Sequence, residues 1–288
     1  MSEVRSNKKK KDSNPAREMP FWDHVEEFRW SFFRIILVML AFSVLAFVYK
    51  EIVFDIIILG PSKSDFVTYR WLCKLGDAWS LKELCIDNLE VNIINLTLTG
   101  QFLRHISISI YSGIILASPY ILWELWRFLK PALKPREKKY ATSALLICVA
   151  LFLMGVVFSY YVIVPLTVNF LANYSISESV KNTISLESYV GTVTSLTLIM
   201  GIVFELPVIM YLLGKFGIIT STFIRKQRKY AIVIVLIAAA FITPGSDAFS
   251  LLLVSLPLYL LFEMSLLVMP KTKEEEEKKT EPKEEPAG

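Results

Sequence analysis

The sequence predicts an all-α, polytopic membrane protein with six transmembrane helices, the last two of them short. Three observations carry that prediction. The 288 residues are 54% hydrophobic, with a mean hydropathy of +0.49, too apolar for an ordinary soluble domain. The apolar residues fall in runs rather than stripes, at 31–49, 102–122, 141–164, 192–214, 230–242 and 249–268. Cations crowd the second and fourth connections and are nearly absent from the third and fifth, while the first is mixed in charge and does not decide the orientation. About twenty apolar residues span a hydrocarbon core roughly 30 Å thick, and there only a helix satisfies its own backbone.

Charge placement orients the runs. "KKKK" at 8–11 and Arg17 precede the first run. Arg127, Lys130, Lys134, Arg136, Lys138 and Lys139 follow the second, and Lys215, Arg225, Lys226, Arg228 and Lys229 follow the fourth. The third connection, 165–191, has only Lys181, and the tight fifth has no cation. The positive-inside rule then puts both termini in the cytoplasm. The first run is too long for a signal-peptide core and no small-residue cleavage site follows it, so it reads as a retained span. Residues 1–18 and 269–288 are charged and poor in apolar residues, and are expected to be disordered tails around a membrane domain at 19–268.

Between the first two runs, roughly 50–101, lies an outer loop long enough for short helices over the membrane mouth, with Gly60-Pro61 breaking the chain. Cys73 and Cys85 both fall in this loop. A disulfide is plausible in an oxidising compartment, and two free thiols are the alternative. Cys148, inside the third run, reads as a small buried apolar residue. After the second run, Trp123 and Trp126 stand where an aromatic belt belongs, and Pro131 and Pro135 should bend the chain along the inner interface. The last two spans are short: the uncharged stretch 248–262 has 15 residues, which reach about 23 Å. Such a hairpin must thin the bilayer, stay partly sunk, or be sheltered by neighbours.

Glu205 lies deep in the fourth run, where a charge costs on the order of 2.5–3.5 kcal/mol. Pro207 cannot donate to the carbonyl of Val203, so the helix should kink beside that acid. A cavity, a partner helix or a hydrogen bond within the bundle would each account for Glu205. Asp247 reads as the N-cap of the sixth helix, and Glu263 as a snorkelling or ion-paired acid near its inner end. The two histidines, His24 and His105, fall on opposite sides of the membrane. No nucleophile with a base, metal spacing or phosphate loop is visible, so neither an enzyme, a cofactor nor nucleic-acid binding is expected. Four acids remain. Glu26 and Glu27 precede the first run, Glu124 and Glu137 flank the bend after the second, and all are expected at the cytoplasmic surface. They either pair with Arg29, Lys138 or Lys139, or converge to accept a guanidinium.

The segment "HVEEFRWSFFR" resembles the amino-terminal His-x-x-Glu-x-Arg signature of the TatC subunits of the twin-arginine protein translocase. "SPYILWELWRFLKPALKPRE" is similar to their first cytoplasmic loop, "FELPV" to their fourth span, and "TPGSDAFSLLLVSLPLYLLFE" to their last hairpin. The resemblance runs in order from about 20 to 268. It implies a concave six-helix bundle in the cell (inner) membrane that receives the twin-arginine signal peptides of folded precursors. It also implies oligomers with single-span partners of the TatA/TatB type, contact with membrane lipid, and the proton-motive force as energy source. By position, Glu27 and Glu137 would engage the arginine pair, with Arg29 and Phe128 shaping the same patch. Glu205 would meet partner helices or the inserting signal, and Pro61 and Asp247 match the family's proline and hairpin acid. Leu251 stands where many members carry Gln, and the first outer loop is longer than usual. The alternatives are a secondary transporter of a small solute, which should show several deep ionisable groups and repeated halves, and a structural membrane scaffold indifferent to the inner acids.

Overall fold

The computed structural model describes residues 21–79, 91–129, 141–175, 177, 182–243 and 247–269. Both expected tails, the Pro131/Pro135 bend, Cys85 and Glu137 lie outside the described residues.

Helix α1 (Phe21–Val48) leads into a π-helical segment (Glu51–Ile58) and a 3₁₀ turn (Gly60–Ser62), followed by α2 (Val67–Trp79) and a short strand β1 (Ile93–Ile94). The second column is α3 (Gly100–Leu129). The third joins α4 (Ala141–Phe158), a π turn (Ser159–Ile163) and α5 (Val164–Asn173). Strand β2 (Ile184–Ser185) precedes the fourth column, which is divided into α6 (Leu186–Val203) and α7 (Leu206–Lys215). A short α8 (Ser221–Lys226), then α9 (Arg228–Ile242) and α10 (Ala248–Val268), complete the bundle. Five of the six columns are long and apolar enough to cross a membrane. The 15 residues of α9 are not. Helix α10 extends 21 residues, beyond its uncharged part and through Glu263.

Successive columns run in opposite directions, so the bundle has a Glu27 end and a Pro61 end. Phe28 meets Phe128 at the first, their centroids 5.4 Å apart. His105 stacks on Phe47 toward the second, at 4.0 Å. The main pairings are α1 with α3, α4 with α6, and α10 with both α7 and α9. Close approach is bought with glycine. A Cβ on Gly113 would sit 2.7 Å from the backbone nitrogen of Ser43, and one on Gly155 would sit 2.7 Å from the carbonyl oxygen of Met200. The largest core cluster, including Ile108, Ile163, Leu196, Met200, Val254 and Leu258, fills the space between α3, α6 and α10.

Three boundaries depart from the sequence expectation. The first column does not stop near 49 but continues to Ile58, because apolar residues follow Tyr49 and bury Ile58 against the core. Pro165 does not end the third column. Standing at the start of α5, just after the π turn, it needs no intrahelical donor. Trp126 is not part of an interfacial belt: it is buried against Ala144, Leu145 and Leu212.

The widened and broken turns at the Pro61 end leave carbonyls that tyrosines satisfy. Tyr160 donates to the carbonyl of Ile57 at 2.8 Å, and Tyr189 to that of Ile58 at 2.8 Å. Tyr69, on the expected helix of the first long loop, shares its proton between Pro61 (2.9 Å) and Pro165 (3.0 Å). Burial pushes the Tyr69 phenol well above its ordinary pKa, so it remains a donor. A parallel β1–β2 pair, Ile93 opposite Ile184, ties two connections at this end together.

Tyr69→Phe should lower stability by about 1–2 kcal/mol, read as an earlier thermal unfolding midpoint in detergent. Gly155→Val should cost about 1–3 kcal/mol by forcing α4 from α6, and the same melt would detect it.

Candidate functional site

The functional candidates divide between the two ends and the middle of the bundle. At the Glu27 end, α1 presents Glu26, Glu27, Phe28 and Arg29 in succession. Glu26 accepts from Arg29 at 3.0 Å, an exposed pair one turn apart. Glu27, half-buried, makes no ion pair among the described residues. Phe28 stacks near Phe32, 6.5 Å between centroids, and meets Phe128 from α3. Phe28 and Phe128 thus form an aromatic corner between two helices, one residue along α1 from Glu27. Arg29 belongs to this patch, but its guanidinium is taken by Glu26.

Glu124 corrects the expectation of a surface acid. Its side chain is 0% exposed and lies 2.9 Å from Nη2 of Arg34, whose side chain is 41% exposed. The reason is the intimacy of α1 and α3, which turns this face of α3 inward. Arg34 also donates to Ser31 Oγ at 3.3 Å. Neither oxygen of Glu124 has a well-directed hydrogen bond, so the interaction is ionic by proximity rather than bidentate. The signal available in the sequence was Arg34 itself, a cation inside the first apolar run that must find an acid. Nearby, Arg127 lies over the Trp123 ring at 5.8 Å.

Glu205 occupies the division between α6 and α7. It is 8% exposed. Because Pro207 has no N–H, the turn tightens: Glu205 N donates to Ile202 O at 3.0 Å, and Glu205 O accepts from both Val208 and Ile209. One carboxylate oxygen is buried without a hydrogen bond. The Cys148 thiol, across from it on α4, is the polar group that interacts with this acid. Cys148 is thus buried, as its apolar run suggested, but not apolar in its contacts.

At the Pro61 end, buried Pro61 offers its carbonyl to Tyr69. Asp247 caps α10, accepting from Ser250 N at 2.7 Å, while its other oxygen is buried without a partner. Cys73 is disulfide-bonded; Cys85, considered as its partner from the sequence, is not among the described residues. Glu263, back at the Glu27 end, pairs with Arg228 at 3.0 Å and accepts from Tyr259 at 3.1 Å. Among the described residues, no cluster of His, Cys, Asp and Glu could hold a metal ion.

A family model described as TatC, Sec-independent protein translocase protein, matches residues 23–257. A Sec-independent protein translocase protein TatC of Blattabacterium is 36% identical over 259 residues, spanning 88% of this chain and 96% of its own length. The TatC protein of Aquifex aeolicus is 32% identical over 252 residues, spanning 87% and 94%. A crystal structure described as the twin-arginine translocase receptor TatC superposes with a TM-score of 0.67 at 32% identity, covering 85% of this chain and 97% of that one. A second, obtained in DDM, superposes at 0.70 with 31% identity, covering 86% and 99%. These matches give no support to a transporter of small solutes. This multi-pass membrane chain belongs to the TatC family of Sec-independent protein translocase proteins.

Proposed function

We propose that the chain is the membrane receptor for twin-arginine signal peptides, with both of its termini in the cytoplasm of the cell. What carries the reading is Glu27, a carboxylate without an ion pair among the described residues, one residue along α1 from the Phe28–Phe128 corner. A guanidinium bound there gains charge-assisted hydrogen bonds, each worth about 1.5–3 kcal/mol when well aligned. An apolar stem or ring gains the aromatic corner. Glu137 is the proposed second acid, so that two carboxylates meet two arginines. Arg127, Lys215 and Arg228 cluster at the same end of the bundle, which supports a cytoplasmic Glu27 end.

The signal's apolar stretch would then lie along the bundle toward Glu205. An acid with an unsatisfied oxygen in the middle of a membrane suits a polar group on an inserting or partner helix. The partners proposed are single-span subunits of the TatA/TatB type, assembled with several copies of this chain and driven by the proton-motive force. No bond is made or broken in this cycle by the chain's own residues. Pro61 and Asp247 are proposed to shape the opposite mouth, Pro61 through its link to Tyr69 and Asp247 by starting α10.

The combined change Glu27→Ala with Glu137→Ala should weaken binding of a fluorescent twin-arginine peptide at least about a hundredfold, while the protein still purifies folded. Affinity within a few-fold of the parent protein would refute the assignment. Glu205→Lys should leave that affinity intact and abolish export of a folded precursor into vesicles. Undiminished export would remove Glu205 from the mechanism.

A further inference from the structure

We propose that Glu124 is a positioning residue for the peptide site: by holding Arg34 it keeps a built-in guanidinium off Glu27. The inference rests on the receptor reading above and deepens it. Glu27 and Arg34 are seven residues apart on α1, two turns and about 10.5 Å along one face. Helical side chains lean toward the helix N-terminus, so Arg34 leans toward Glu27. Its Nη2 has already climbed back to Ser31 Oγ, 3.3 Å away, which leaves about one turn, roughly 6 Å, to cover. An arginine on the host helix would be an intramolecular competitor for the carboxylate that an arriving arginine needs.

Two arginines on α1 follow Glu27, and each has an acid of its own. Arg29 is held by Glu26 at 3.0 Å. Arg34 is held by Glu124 at 2.9 Å, from a helix that packs along α1. The second pair is asymmetric: the acid is wholly buried, while the cation is 41% exposed although its Nε is buried. A pair built only to clamp two helices would gain more from burying both members with directed hydrogen bonds, yet Glu124 makes none of good geometry. What the arrangement does achieve is a fixed location for a positive charge two turns from Glu27.

The test measures affinity of a twin-arginine peptide, against its twin-lysine counterpart, for the purified full chain in detergent. Glu124→Gln should weaken twin-arginine binding about fivefold, the scale of one half-exposed ion pair. Adding Arg34→Gln should restore affinity to within about twofold of the parent protein, since the competitor is then gone. In a Glu27→Gln background, Glu124→Gln should cost nothing further. A double variant as weak as Glu124→Gln alone would overturn the proposal in favour of a helix clamp. Should Glu124→Gln not fold, Arg34→Met with Glu124→Met removes both charges at similar volume. Parental affinity there supports the proposal, and a fivefold loss overturns it. A parent protein that does not prefer arginine to lysine would instead sink the receptor reading itself.

Discussion

Hydrocarbon offers a peptide group no partner, so every irregularity in a membrane helix must be resolved by the protein itself. Besides the prolines inside α3 and α10, the described residues show three such irregularities: the π segment before Pro61, the π turn before Pro165, and the division before Pro207. At the first, tyrosine hydroxyls supply the missing donors; at the second, the Tyr161 carbonyl that Pro165 cannot pair accepts from Thr68 Oγ1. Tyr69, Tyr160 and Tyr189 together bind the first column to the third and fourth. The third irregularity is left less complete, with an acid whose buried oxygen has no donor. Satisfaction at one end thus contrasts with incompleteness in the middle.

The same logic governs charge. At the Glu27 end, Glu26, Glu124 and Glu263 each hold an arginine, on α1 or at the start of α9. Glu27 is excepted. The exposed Glu26–Arg29 pair contributes little to stability, and the Glu124–Arg34 pair lacks directed hydrogen bonds at its acid, so both are better understood as sorting charges than as holding helices. The helices are held by close contact at Gly113, Gly155 and Gly201 and by the apolar core around Leu196 and Met200.

Much of this was legible in the amino acids. Run length and cation placement specify the columns and their alternation, Asp247 announces a helix start, and Pro207 marks the division beside Glu205. The family motifs point to Glu27 and Phe128. What could not be read is which face of each column turns inward. In a membrane the lipid-facing and core-facing sides are both apolar, so the periodicity that exposes the buried face of a soluble helix is muted. Sequence therefore places Trp126 in a belt and Glu124 at the surface, although both are buried on the same helix. The length of the first column was hidden for a related reason. Glu51 and Asp55 look like loop residues, but an exposed stripe of acids on a widened helix serves as well.

The columns also differ greatly in height. The third runs helically from Ala141 to Asn173 through its π turn, whereas α9 has 15 residues. Wherever lipid follows the lower wall, the voltage across the membrane falls over about 23 Å rather than about 30 Å. The electric field there is steeper by roughly a third, and a charged segment passing along that side feels a correspondingly stronger pull per ångström.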